Sequence, residues 1–191
     1  MAHYPVCLDL RERSCLVIGG GSVAAEKVRG LLDAGAAVRH RASYAPGDLA
    51  GVFLAIVCAQ PPEVVEEIWA EARERGVLVN TVDDVAHCDF IAPAVLRRGD
   101  LAIAISTGGR APALAVRLRQ KLEREIGDEH ARFLALAGSV RAPLAARRPD
   151  FAERRELWYR LVDSDVLDLL RQGDEEGAVG RFNEILGVSP A

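Results

Sequence analysis

The stretch Cys15-Leu-Val-Ile-Gly-Gly-Gly-Ser-Val-Ala-Ala-Glu-Lys27 constrains the fold more than any other part of the chain. Cys15 to Ile18 is a short apolar run with β-branched residues, the composition of a buried strand. Gly19, Gly20 and Gly21 end it sharply. Val23, Val28, Leu31 and Leu32 then recur at helical spacing, which predicts a helix from about Ser22 to Asp33. Strand, glycine turn and helix in this order form the first βα unit of a dinucleotide-binding sheet. Without a Cβ, Gly19 can make the tight turn and Gly21 lets a diphosphate approach the backbone. The free N–H groups at the helix start would face that anion, aided by the helix dipole. The pattern reads G-x-G-x-x-A, with Ala24 in the third position, where a small residue allows helix and strand to pack closely.

The chain around this unit continues the same alternation. Tyr4 to Leu10 alternates apolar and polar residues, and Arg11-Glu-Arg13 turns into the glycine-loop strand. Ala36 to Ala42 predicts a second strand with a polar centre, Arg39-His40-Arg41, and Tyr44 to Leu49 predicts a turn or a short helix. Val52 to Ala59 is a continuous apolar run, as in a parallel strand covered on both faces. Pro61 and Pro62 open a helix whose apolar stripe is Val64, Val65, Ile68, Trp69 and Ala72, with Gly76 at its end. Val77 to Val82 predicts the next strand, ending in Asp83-Asp84. There the alternation stops. Asp89 to Leu96 and Leu101 to Ser106 predict two strands joined by an Arg97-Arg-Gly-Asp100 turn. Thr107 to Ala113 is a second glycine turn opening a helix, with Pro112 near its first position. From Asp128 onward the pattern is helical, with breaks expected at Pro143, Pro149 and Gly173.

Composition narrows the function classes. The chain has 191 residues, enough for a substantial core, and its apolar runs are too short to span a membrane. The N-terminus shows no basic segment followed by an apolar core, so no signal peptide is expected. A net charge of −4 argues against a general nucleic-acid binder. Cys7, Cys15, Cys58 and Cys88 have no metal-ligand spacing and read as reduced, structural thiols of a cytoplasmic protein. His87, Cys88 and Asp89 are close in sequence but lack a metal-binding pattern, so no metal site is expected. The basic residues are almost all arginine; Lys27 and Lys121 are the only lysines, a bias read as compositional.

Three constellations carry candidate chemistry. Asn80-Thr-Val-Asp-Asp84 lies at the C-terminal end of a predicted parallel strand, the edge where α/β sheets bind ligands. A carboxylate there can move a proton or cap a turn, and spacing alone does not separate the two. Ser106-Thr-Gly-Gly-Arg110 is either an anion cradle or a plain strand–helix turn. Arg117, Lys121 and Arg124 form an anion-binding wall or, as is usual, a solvated face, and the same holds for the arginines between Arg141 and Arg160.

The order of motifs is more specific than any one of them. Gly19-Gly-Gly-Ser-Val-Ala24, Asn80-Thr-Val-Asp-Asp84, Cys88-Asp-Phe-Ile-Ala-Pro93 and Ile105-Ser-Thr-Gly-Gly-Arg-Ala-Pro-Ala-Leu114 follow in sequence. In this the chain resembles the precorrin-2 dehydrogenase / sirohydrochlorin ferrochelatase family, including the N-terminal half of sirohaem synthase. The resemblance covers nearly the whole chain, with Glu156-Leu-Trp158 in a tail like the family's helical end. It implies an α/β fold: a Rossmann-type NAD-binding domain over residues 1–92, shortened between its second and fourth strands, a central dimerisation region over 93–126, and a helical C-terminal domain over 127–191. It also implies a homodimer that acts on a tetrapyrrole, with no nucleic-acid or membrane partner. NAD would take a hydride from precorrin-2 while a base removes a proton, giving sirohydrochlorin. In bifunctional members Fe²⁺ is then inserted as a chelation substrate.

The resemblance assigns the proton acceptor to Asp83, the aspartate after Asn-x-Val. Cofactor contacts would come from Gly19, Gly21, Ser22, Val23, Ser43 and Ala59. Substrate contacts would come from Asn80, Ser106, Thr107, Gly108, Gly109 and Arg110. The substrate's many carboxylates would give the arginines near Arg110 and in the tail a use. Two departures fall on the adenosine side. The segment between Ala36 and Val52 is shorter than in family members, and Gln60-Pro-Pro62 replaces a polar run after the third strand. Arg39 or Arg41 could hold a 2′-phosphate, but family members also lack an acidic ribose partner, so NAD is expected. The alternatives are a non-catalytic tetrapyrrole-binding protein and a chelatase without oxidase activity.

Overall fold

The structure, a computed structural model, describes residues 3–190. It divides into two compact units: residues up to Ala92 with Ser106–Ala111, and Pro93–Ile105 with the chain from Pro112.

The first unit is built on four parallel strands: β1 (Ser14–Ile18), β2 (Ala37–Arg41), β3 (Leu54–Val57) and β4 (Leu78–Thr81), in the spatial order β2-β1-β3-β4. Helices α1 (Gly21–Asp33) and α2 (Pro62–Arg75) cover opposite faces. Because side chains alternate along a strand, Cys15 and Val17 pack with Leu54 and Ile56 toward Ala24 and Leu31 of α1. Leu16 and Ile18 pack with Ala55, Val57 and Val79 toward Val65, Ile68 and Ala72 of α2. This double covering is why β1 and β3 read as uninterrupted apolar runs.

β2 is an edge strand, and most of its residues are exposed, which accounts for its polar centre. Arg39 donates to the Asp48 carbonyl at 3.1 Å, and Arg41 lies 3.8 Å from the Asp48 carboxylate. The chain crosses from β2 to β3 without a helix. Turns carry Leu49 and Val52 into the core on the α2 face, with Tyr44 packed beside them. The Tyr44 hydroxyl and the Gly47 N–H both donate to Glu71 of α2. Burial, reinforced by the bond to Glu71, pushes the Tyr44 phenol well above its ordinary range.

The second unit starts with the antiparallel hairpin β5 (Ala94–Arg98) and β6 (Leu101–Ile105). The sequence reading starts this strand at Asp89 and places Arg97 and Arg98 in the turn. In the structure Arg97 and Arg98 pair with Ala102 and Leu101, and the turn tightens onto Gly99-Asp100, with Gly99 at φ +54°. Residues 89 and 90 are instead tied to β4.

Five helices follow: α3 (Pro112–Glu125), α4 (Asp128–Arg147), α5 (Phe151–Val162), α6 (Val166–Gln172) and α7 (Glu175–Leu186). Chain breaks do fall around Pro149 and at Gly173, but α4 runs straight through Pro143. An interior proline costs roughly 3 kcal/mol. Val140 and Leu144 flank it, both fully buried with Leu161, Leu170 and Phe182. Two such side chains contribute about 1.5–3 kcal/mol each, which offsets the proline.

Candidate functional site

The glycine turn leads from β1 into α1 and packs against Cys58 at the end of β3. Gly19 has φ +115°, and a Cβ there would lie 1.9 Å from the Cys58 carbonyl oxygen. Gly20 is extended and precedes α1; Gly21, the first helical residue, has φ +82° and open space around it. The start of α1 has no side-chain cap and no acidic residue in its first turn, so its N–H groups are left for a ligand or water. A cavity of about 440 Å³ opens here, lined by Gly20, Gly21, Ser22, Val23, Cys58, Ala59, Val82 and Asp83. It sits at the C-terminal edge of the sheet, where such folds bind ligands.

Two non-glycine residues on its wall have left-handed backbones. Ala59, just beyond β3, has φ +48°, and Asp83, just beyond β4, has φ +64°. Such conformations cost on the order of 1–3 kcal/mol and persist only where the surroundings impose them. At Asp83 the surroundings are a set of ties on the following loop. Cys88 forms an isolated antiparallel bridge with Asn80, and its Sγ accepts from the Thr81 N–H at 3.2 Å. The Asn80 side-chain amide donates to the Phe90 carbonyl at 2.9 Å. The Asp89 N–H donates to the Val79 carbonyl, the Asp89 carboxylate accepts from the Val79 N–H, and Arg73 of α2 pairs with the same carboxylate. Cys88-Asp-Phe90 is thus a clasp on β4, and burial pushes the Cys88 thiol up.

Asp83 and Asp84 have different work. Asp84 caps the short 3₁₀ turn Val85–His87 by accepting from the Ala86 N–H, and it pairs with His87 Nδ1 at 2.6 Å. That bond holds the Asp84 carboxyl below its ordinary range and the His87 imidazole above its own. The Asp83 carboxylate is exposed and makes no hydrogen bond or ion pair among the described residues. The capping alternative left open by the sequence therefore belongs to Asp84.

Ser106–Ala111 belongs to the first unit. Ser106 Oγ accepts from the Gly108 N–H, Thr107 Oγ1 accepts from the Ala111 N–H, and Gly108 and Gly109 have left-handed backbones. A Cβ on Gly109 would lie 3.6 Å from a Val85 methyl, so this turn sits beside the loop that follows Asp83. Arg110 is exposed.

The structure thus brings Gly21, Ser22, Val23, Ala59 and Asp83 onto one cavity wall. Gly19 supports that wall from behind, Ser43 lies exposed beyond β2 outside the lining, and the buried Asn80 amide is engaged in the clasp. Gly20, Cys58 and Val82 line the cavity although sequence reasoning did not select them. Their position at the strand ends was the available signal. The four cysteines are free, and no group of three or more His, Cys, Asp or Glu residues among the described residues is arranged to hold a metal.

A parallel sheet with a glycine turn and a strand-end cavity defines a Rossmann-type nucleotide-binding protein, extended by a hairpin and a helical unit. Residues 6–43 and 37–94 match a family described as putative NAD(P)-binding. Residues 98–125 match the sirohaem biosynthesis protein central region, and 129–186 the sirohaem synthase dimerisation region. With these regions in this order, the chain belongs to the precorrin-2 dehydrogenase / sirohydrochlorin ferrochelatase family. The matched region whose description names dimerisation covers α4 to α7, whereas the sequence reading places dimerisation on 93–126.

Among curated relatives, a sirohaem synthase of Photobacterium profundum is 37% identical over 199 residues, covering 93% of this chain and 42% of the relative. One of Chromobacterium violaceum is 35% identical over 212 residues, covering 100% of this chain and 45% of the relative. The chain spans less than half the length of these relatives. The solved structure of SirC, precorrin-2 dehydrogenase, superposes with a TM-score of 0.73 over 95% of this chain and 100% of the other, at 23% identity, a likeness of fold.

Proposed function

We propose that this chain is an NAD-dependent dehydrogenase that oxidises precorrin-2 to sirohydrochlorin, acting as a homodimer in the cytoplasm. One observation carries the reading: the unpaired Asp83 carboxylate shares a cavity wall with the uncapped start of α1. The residues present fit the diphosphate of NAD, because Gly20, Gly21 and Ser22 offer backbone N–H groups and the first turn of α1 carries no acidic residue. When bound, NAD supplies the hydride acceptor. Gly21 and Ser22 would hold the diphosphate at the helix start. Ala59 and Val82 line the cavity together with the glycine turn and Asp83, so they would contact the cofactor along its length. Asp83 accepts the proton that leaves the tetrapyrrole as the hydride departs. Ser106, Thr107 and Arg110, beside the same loop, would receive the substrate's carboxylates.

The relatives' names support a second step in which Fe²⁺, as substrate, enters sirohydrochlorin and Asp83 takes the displaced pyrrole protons. The helix-free link between β2 and β3, with Arg39 and Arg41 engaged by Asp48, supports the alternative of a non-catalytic tetrapyrrole-binding protein. NAD titration separates the two.

The test is NADH formation from precorrin-2 by Asp83→Asn, which keeps shape and removes the base. We expect turnover to fall about 10²–10⁴-fold with NAD affinity retained. Wild-type turnover in a folded, NAD-binding Asp83→Asn protein would remove Asp83 from this role.

A further inference from the structure

We propose that His87 is a positioning residue for Asp83: by bridging Asp84 in its own loop and Glu66 on α2, it holds the strand-end loop in the left-handed turn that presents the Asp83 carboxylate to the cavity. The inference rests on the reading of Asp83 as proton acceptor.

The geometry is specific. His87 Nδ1 lies 2.6 Å from Asp84 Oδ2, and Nε2 lies 3.1 Å from Glu66 Oε1. A neutral imidazole has one N–H and one lone pair, so it can serve only one of two carboxylates. With both carboxylates ionised, two such bonds require an imidazolium that donates on both sides. The ring stands edge-on to Trp69 at 5.6 Å, and Arg73 lies over Trp69 and pairs with Asp89. Two ties thus join α2 to the loop, one on each side of Cys88.

The charged groups facing His87 are Asp84 from its own turn and Glu66 from α2. β4 carries no charged residue, and Arg110 of the neighbouring turn makes no ion pair among the described residues. The bond to Asp84 raises the His87 pKa, with Glu66 adding to it. A raised folded-state pKa makes the bridge complete below the ordinary histidine range and lost as pH rises through the raised value. Once His87 is neutral, a ring lone pair faces a carboxylate oxygen, one tie opens, and the strain at Asp83 is free to relax. The loop and the base therefore respond to pH in opposite senses. Asp83 loses its role when it is protonated in acid, and His87 loses its grip when it is deprotonated in base.

The experiment measures kcat and KM for NADH formation from precorrin-2 against pH at saturating NAD, for the wild type, His87→Gln and Glu66→Gln. The His87 imidazole is titrated by NMR in parallel, its resonance identified by its loss in His87→Gln. In the wild type the alkaline limb of kcat should coincide with the His87 titration. Glu66→Gln should move both to lower pH. His87→Gln should lower kcat roughly tenfold or more with KM unchanged, and its alkaline limb should vanish. An alkaline limb that persists in His87→Gln, or a kcat equal to wild type, overturns the proposal. Asp83→Asn runs alongside. Should that variant keep wild-type turnover, the proton-acceptor reading fails on its own. The tether is then judged by amide hydrogen exchange over residues 82–85: faster exchange in His87→Gln upholds it, and unchanged exchange overturns it.

Discussion

A methyl group on Gly19 would stand 1.9 Å from the Cys58 carbonyl oxygen, in a backbone conformation that side chains disfavour. Neither β1 nor β3 can yield, since both are buried on two faces. Gly19→Ala should therefore destabilise the protein by about 3 kcal/mol or more, read as a lower midpoint in urea. Gly21, two residues on, meets nothing within 4 Å. Its carboxylate variant Gly21→Asp should fold, because aspartate tolerates positive φ better than most residues. The added charge stands where the diphosphate would sit, so NAD binding should be lost in a calorimetric titration. Unchanged affinity would remove the glycine loop from the cofactor site.

At the scale of elements, the β2–β3 link shows how a missing helix is replaced. Leu49 is fully buried against the α2 face, and Glu71 holds the turn through Tyr44 and Gly47. Leu49→Ala should cost about 2–5 kcal/mol, and Tyr44→Phe only about 1 kcal/mol, both measured by denaturant unfolding. The sequence announced β1, β3, α1 and α2 because one face or both faces of each are buried, so the apolar pattern carries the period. It did not announce the helix through Pro143, whose survival depends on what Val140 and Leu144 touch far along the chain. Nor did it show that Cys88 to Phe90 clasps β4, since apolar residues near a strand's end look the same whether they extend a hairpin or return to the sheet. Asp83 and Asp84 were legible as a pair at the right edge. Their division of labour was not, because it turns on one residue's φ and on a bond to His87.

For the whole molecule, the hairpin leaves strand edges unpaired although helices α3 and α4 pack on it. It has two strands, and among the described residues no third strand joins either side. Unpaired strand edges invite a partner, and Leu114, Val116 and Leu118 on α3 are exposed. We expect light scattering at micromolar concentration to report a dimer, and Leu118→Arg to shift it toward monomer; a monomeric wild type would count against the proposed assembly. The other sheet has an open margin too, along β2, where Arg39, His40 and Arg41 stand. An open strand margin is a template on which a second chain can add a strand, and positive charge is one way proteins discourage it. With no helix in the link between β2 and β3, the exposed Arg39 and Arg41 are the charges that guard this margin, and Asp48 in the link partly offsets them. That guard acts over a distance of only about 8 Å at physiological salt. Tolerance of concentrated salt is therefore tied to the same short link that buries Leu49 against α2.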